Sequence, residues 1–249
     1  MKLENAKGTR DFPAQEKIMR DKILTTLKDT CELYGFNPIE TPIIEKYETL
    51  AAKFAAGDES DAMKEVFLMS DNGDRKLGLR FDLTVPFSRF IAMNKNMKMP
   101  FKKYMTGEVF RDGPIKTGRY RQFTQFDPDI VGSKSMGAEA ELLSLLDTAF
   151  SKLEFDFSIE LSNKKIIEGI LLDAKIPEGK WEKAIISIDK LKKIGQKGVL
   201  SELVEKGFNE KSMNSVLENL KKGKTNKETL EMLKKVVKSD IGKEGINEL

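Results

Sequence analysis

Hydrophobic and polar positions alternate most regularly over Phe101–Gly132, where two runs rich in aromatic and β-branched residues flank Asp112, Gly113, Pro114 and Gly118. Alternation with turn-forming residues at its centre predicts a long antiparallel hairpin. With Arg111 facing Arg119 across the loop, one face carries Gly107, Arg111, Arg119, Arg121, Phe123, Gln125 and Asp129, and Gly107 stands opposite Phe123. The other face carries Tyr104, Phe110, Tyr120, Phe126 and Ile130. The second face reads as core and the first as polar.

Helical spacing flanks this hairpin. Ile18, Ile23, Leu24, Leu27, Cys31 and Tyr34 form one stripe along Pro13–Tyr34, with Asp11 and Pro13 as start signals and Gly35 as the stop. Phe36–Ile44, interrupted by Pro38 and Pro42, predicts an extended segment confined to an edge or an interface. Glu65–Arg80 predicts a second hairpin turned at Asn72-Gly73, and Val85–Asn94 a helix with Pro86 in its first turn. Met136–Leu153 has a helical stripe through Ala140, Leu143, Leu146 and Phe150, and Phe155–Leu161 reads as a further strand. Short helices follow at roughly 163–174, 178–193, 198–206, 210–222 and 226–238, separated by Gly, Pro and Asn. The pattern is that of an α+β chain with an organisational break near 162/163.

Composition sharpens that break. All eight arginines lie at or before position 121, whereas residues 163–249 hold nineteen lysines against fourteen acids, a net of +5. Charged outer faces are ordinary for solvated helices, and a nucleic-acid contact needs those charges clustered. A chain of 249 residues with 39% hydrophobic and 33% charged positions suits one good-sized core or two smaller ones. No apolar run approaches a membrane span, and the opening Met-Lys-Leu-Glu-Asn lacks the apolar segment of a signal peptide. A single cysteine, Cys31, excludes an internal disulfide and points to a reducing cytoplasmic setting.

Histidine is absent, which removes most hydrolase triads and most catalytic zinc sites. No phosphate loop of the GxxxxGK[ST] kind and no GxGxxG is present. Chemistry in this chain therefore rests on arginine, carboxylates and amides, with a metal ion as a further alternative. The guanidinium forks of Arg111 and Arg119 suit phosphate, whereas Gln125 and Asp129 suit an amine or an imidazole. A plain solvent-facing strand surface is the competing reading.

The stretch VFRDGPIKTGRYRQFTQFDPDIVG resembles motif 2 of the class II aminoacyl-tRNA synthetases, in the form seen in histidyl-tRNA synthetases. KGTRDF, YGFNPIETPIIEKYETL (similar to motif 1) and LRFDLTVPFSRFIAMN (similar to the histidine-binding loop) resemble the same family in the same order. The resemblance implies a class II antiparallel sheet flanked by helices over residues 1–162, followed by a small, mainly helical insertion domain over 163–249 that leans on tRNA. It implies a homodimer through motif 1, with histidine, ATP and tRNA as partners, and magnesium accompanying ATP on ligands that the sequence does not assign.

By the same resemblance, Asp82, Leu83 and Thr84 contact the histidine amino group, a role that for Asp82 or Thr84 competes with simple helix capping. Arg111 clamps the α-phosphate and the substrate carboxylate, Gln125 supports the amino acid, Asp129 pairs with the imidazole, and Arg119 reaches the outer phosphates. Lys116 and Thr117, in the loop between Asp112 and Gly118, face the tRNA acceptor end. Such chemistry works by positioning and charge stabilisation. Two departures stand out. The family places a glutamate two residues after the motif 2 arginine to accept from adenine, and Gly113 occupies that position here. The family's second catalytic arginine, its motif 3 and its anticodon-binding domain have no counterpart up to Leu249, so the expected identity is the first half of a synthetase, inactive alone. The competing reading is a synthetase-like regulatory protein such as the ATP phosphoribosyltransferase regulatory subunit; those paralogues tend to lose the motif 2 arginines, and Arg111, Arg119 and Arg121 all stand here. A basic RNA-binding module is the third.

Overall fold

A computed structural model describes residues 2–52 and 65–249, which fall into two compact units, 1–157 and 158–249. The compositional break at 162/163 lies just inside the second.

The first unit opens with helix α1 (Ala14–Leu33), preceded by Pro13 and stopped by Gly35 at φ +74°. Strands β1 (Asn37–Pro38) and β2 (Ile44–Lys46), helix α2 (Tyr47–Ala51), strands β3 (Leu68–Ser70) and β4 (Lys76–Leu79) and helix α3 (Thr84–Met93) follow. Strands β5 (Phe101–Phe110) and β6 (Gln122–Val131) form the long hairpin, and helix α4 (Gly137–Lys152) closes the unit. One sheet has the order β1-β5-β6, with β1 parallel to β5; the other has the order β2-β4-β3, all antiparallel.

The hairpin pairs Phe101 with Val131 through to Phe110 with Gln122, and the Arg111 amide donates to the Arg121 carbonyl at 2.8 Å. The register therefore differs by two residues from the expected facing of Arg111 and Arg119, and Gly107 stands opposite Gln125 instead of Phe123. An even shift leaves every side chain on its expected face. The loop is longer than expected, 112–120 instead of 112–118, because Arg119 is drawn into a tight turn with Lys116 within it, closed by Gly118 at φ +76°.

Both faces of the hairpin are covered over part of their length. Tyr104 packs with Cys31, Phe36 and Leu145 on one side, stacked 5.8 Å from Phe126. On the face expected to be polar, Met105 and Val109 pack against Leu83 and Phe87. That face alternates between apolar and polar along its length, so half of it is core and half remains for chemistry. Of the α1 stripe, Cys31 is fully buried and Ile23, Leu24 and Leu27 are half-buried, while Ile18 is 69% exposed. Burial raises the Cys31 thiol to about 11, so it stays protonated near neutrality.

Two further expectations are corrected. The β3–β4 turn does not take its positive φ from Asn72-Gly73: Asp74 has φ +55°, and the Asp71 carboxylate closes a wider loop by accepting the amides of Gly73 at 2.9 Å and Arg75 at 3.1 Å. These donors hold Asp71 below its ordinary value. Phe155–Leu161 pairs with no strand among the described residues; Phe155 and Phe157 instead pack their rings on Phe150.

The second unit is a bundle of α5 (Lys164–Asp173), α6 (Trp181–Ile188), α7 (Leu191–Glu205), α8 (Glu210–Asn219), α9 (Asn226–Val236) and α10 (Asp240–Glu248), around Ile170, Leu171, Val199, Leu203, Met213 and Val216. The helix expected over 178–193 ends at Ile188, and α7 breaks its helical path at Gly195, with φ +71°. Helix α10 was not anticipated, because its stripe is short and glycine-interrupted. Those glycines have a packing reason: a Cβ on Gly169 would stand 2.5 Å from the Gly242 Cα. Asn163 caps α5, and Asp173 accepts the Lys238 and Ser239 amides at the start of α10.

Gly169→Ala is expected to destabilise the chain by about 1–3 kcal/mol through backbone overpacking. Gly179→Ala, where a Cβ meets nothing within 4 Å, should change little. Urea denaturation followed by circular dichroism checks the contrast, and equal effects would remove the close-packing account.

Candidate active site

The site is built on the segment between β4 and α3. Arg80 is buried, its Nε donating to the Glu108 carbonyl at 2.9 Å and its Nη1 to the Thr41 carbonyl at 2.8 Å. Its backbone is used as well: the amide donates to Ile43 and the carbonyl accepts from Phe110, both at 2.9 Å. A Cβ on Gly107 would stand 2.1 Å from Arg80 Nη2. The space left by the missing side chain of Gly107 is thus taken by a guanidinium of the chain itself. Burial pulls its pKa down, with the charges of Glu40, Glu108 and Glu45 acting against that.

Arg80 delivers Phe81–Thr84 to the hairpin. The buried Asp82 accepts the Val85 amide at 3.0 Å, which caps α3. The Leu83 side chain is fully buried in the core, so any ligand contact from it is through backbone, and Thr84 is exposed. Arg111 Nε donates to the Phe81 carbonyl at 3.0 Å, and its guanidinium lies 5.1 Å from the centre of the Phe123 ring. Its terminal Nη groups make no hydrogen bond among the described residues. On the same face lie Gln125, midway along the hairpin, and Asp129 towards its base, where the carboxylate accepts its neighbour Ile130's amide at 2.8 Å. Gln125 Oε1 is buried without a partner, one of three such side-chain oxygens among the described residues, with Thr41 and Thr106. An unmet buried acceptor at this point matches an incoming amine or N–H.

The other two arginines at the loop end are paired. Arg119 Nη2 donates to the Glu65 carboxylate at 2.8 and 3.0 Å, and Arg121 pairs with Asp112 at 2.9 Å. Arg121 also donates its amide to the Gly8 carbonyl at 2.8 Å, which ties the KGTRDF segment to the hairpin, and Arg10 lies against the rings of Phe12 and Tyr120. Lys116 and Thr117 project into solvent. The space that a side chain at position 113 would take is filled by the Glu65 carboxylate, 2.6 Å from a Cβ built there.

Sequence reasoning missed Arg80, Glu65 and two buried pairs. Lys103 is fully buried, donating to the Asp127 carboxylate at 2.8 Å beneath Phe87, and Arg89 grips the buried Glu45 with bonds of 2.7–3.0 Å. Gly107 and Gly113 signalled the first two, by marking places where something approaches the backbone. No group of three metal-ligating side chains converges among the described residues.

A family model described as histidyl-tRNA synthetase matches residues 8–249. The histidine–tRNA ligase 1 of Bacillus cereus is 42% identical, over 100% of this chain and 56% of the relative. The histidine–tRNA ligase of Cytophaga hutchinsonii is 36% identical, over 98% of this chain and 58% of the relative. The crystal structure of histidyl-tRNA synthetase from Nostoc sp. PCC 7120 superposes with a TM-score of 0.85 at 29% identity, over 100% of this chain and 56% of that one. An ATP phosphoribosyltransferase regulatory subunit/histidyl-tRNA synthetase from Bacillus halodurans C has a TM-score of 0.81 at 20% identity, a likeness of fold alone. The chain thus spans about half the length of the curated relatives it matches.

Arg80→Lys keeps the charge but loses the fork that serves two carbonyls. It is expected to lower unfolding free energy by about 2–4 kcal/mol, the cost of stranding buried polar groups. A denaturation midpoint unchanged from the parent would show that Arg80 does not join the two sheets.

Proposed function

Because the chain belongs to the histidyl-tRNA synthetase family, we propose that it supplies the histidine- and ATP-binding hairpin of a histidine–tRNA ligase, which joins histidine to its tRNA through a histidyl-adenylate. The observation that carries this reading is the order of groups along one hairpin face. Among the described residues, Arg111 offers free Nη donors at the loop end, Gln125 an unpartnered acceptor in the middle, and Asp129 a carboxylate at the base. The histidyl side of a histidyl-adenylate has the same polarity: a hydrogen-bonding imidazole at its end and the anionic phosphate where it joins the adenosine. In this reading Arg111 holds the α-phosphate and the substrate carboxylate, Asp82 and Thr84 with the Leu83 backbone receive the ammonium group, and Arg119 turns from Glu65 towards the outer phosphates. Lys116 and Thr117 meet the acceptor end of tRNA, and residues 163–249 serve as the insertion domain. The regulatory reading is disfavoured by the retained Arg111, Arg119 and Arg121.

The test is histidine-dependent ATP–pyrophosphate exchange, run on this chain alone and on a chimera joined at Leu249 to the remaining segment of the Bacillus cereus relative. Exchange is expected from the chimera and not from the 249 residues alone. Arg111→Ala should lower it by about 10²–10³, the range for removing one preorganised charge stabiliser. Exchange surviving that change within about threefold would sink the role given to Arg111.

The same reading includes a two-fold dimer through the motif 1 region. Ile18, Ile43 and Ile44 are 69%, 42% and 49% exposed, and β1, which carries Pro38, is the edge of its sheet. Sedimentation of the chain should give a dimer at micromolar concentration, weakened by Ile44→Lys; a strictly monomeric mass would contradict it.

A further inference from the structure

Glu65 lies far from the hairpin in sequence, yet it reaches the hairpin's turn. Its carbonyl accepts the Asp112 amide at 2.7 Å. Its carboxylate occupies the space beside Gly113, where a built Cβ would stand 2.6 Å from Oε1 and 3.0 Å from Oε2. Arg119 Nη2 donates to both oxygens, and the carboxylate remains 23% exposed. A carboxylate so close to a phosphate clamp works against anion binding unless it serves another part of the ligand. Arg119 offsets its charge but occupies only one side of it, and each oxygen has two lone pairs, so acceptor capacity remains. A nucleotide has two chemically opposed ends: phosphates, which suit the free Nη groups of Arg111, and a base edge with its own donors and acceptors. The Phe123 ring, beside Arg111 on the same face, offers that base an apolar plate for stacking.

We propose that Glu65 is a specificity-determining residue for the nucleotide, its carboxylate accepting the exocyclic amine of adenine. This rests on the reading of the hairpin as an ATP site. A purine with a carbonyl at the same carbon sets acceptor against acceptor and leaves both unpaired, which a site built for a donor rejects. Gly113 is part of the device, because any side chain there displaces the carboxylate.

The experiment is calorimetric titration of the 249-residue chain with ATP and with inosine triphosphate, which carries a carbonyl in place of the 6-amino group. The parent chain should prefer ATP by about tenfold or more, the worth of one hydrogen bond to a charged acceptor. Glu65→Ala should bring the ratio close to one by weakening ATP alone, and Gly113→Ala should do the same by moving Glu65. Glu65→Gln, which keeps the shape and one acceptor, should fall between, with an unchanged melting curve as the check on folding. Arg119→Ala, which removes a contact to the triphosphate that both nucleotides share, should weaken both alike and leave the ratio intact. Equal affinity of the parent chain for both nucleotides, or equal losses of both in the Glu65 variants, would overturn the proposal and reduce Glu65 to a tether for Arg119. Binding of neither nucleotide to the parent chain would instead overturn the ATP reading on which the proposal rests.

Discussion

The Arg80 guanidinium, pressed against the bare backbone of Gly107 and bonded to the carbonyls of Glu108 and Thr41, joins elements that otherwise share no ladder. Burying a charge is costly unless it is paired or hydrogen-bonded. Here the partners are carbonyl dipoles, supplemented by the more distant charges of Glu40, Glu108 and Glu45. Backbone bonds to Ile43 and Phe110 add a second set of ties at the same residue. The geometry leaves little freedom: Arg80 places Phe81, the Phe81 carbonyl takes the Arg111 Nε, and Asp82 begins α3. The orientation of the ligand-facing arginine is therefore inherited from a buried one.

Charge pairing then decides which groups are free to act. Arg119 is held by Glu65, Arg121 by Asp112, Lys103 by Asp127 and Arg89 by Glu45. Arg111 differs, since its one side-chain hydrogen bond among the described residues uses Nε and its planar face lies over Phe123. A guanidinium oriented by one edge and open at the other is prepared for a bidentate anion. The pairs also divide by burial. Lys103–Asp127 and Arg89–Glu45 are enclosed, so loss of one partner strands a buried charge. Arg119–Glu65 and Arg121–Asp112 are half-open to water, where exchange of partners is cheap enough for a ligand to drive.

The second unit shows a different economy. Its helices α5 and α10 approach through Gly169, Gly242 and Gly245, with backbone in the place of side chains, and the crossing is flanked by Lys165, paired with Glu244 and Glu248. The three acidic caps and pairs at this crossing tie its two ends of sequence together. Its lysines are spread over several helices, and the pairs of Lys192 and Lys222 with Glu160 consume part of that charge on the unit's own surface.

The sequence by itself determined the hairpin and its two faces, because strand periodicity assigns a face to each residue and survives an even error in register. It also determined that α1, α3 and α4 are helices, because apolar spacing is local, and the membership of Arg111, Gln125 and Asp129 in one surface; which face of α4 is buried it did not, since Leu145 and Ala149 are buried there and Ala140 is exposed. Tertiary structure decided the rest. The register itself was set by the tight Lys116–Arg119 turn, and the apolar half of the ligand face by the packing of Phe87; Phe155–Leu161 pairs with no strand among the described residues. The occupants of two glycine-made spaces, Arg80 at Gly107 and Glu65 at Gly113, come from 27 and 48 residues away in the chain. A glycine announces an empty volume in one dimension; which group fills it is a question of close packing in three, where local periodicity carries no information.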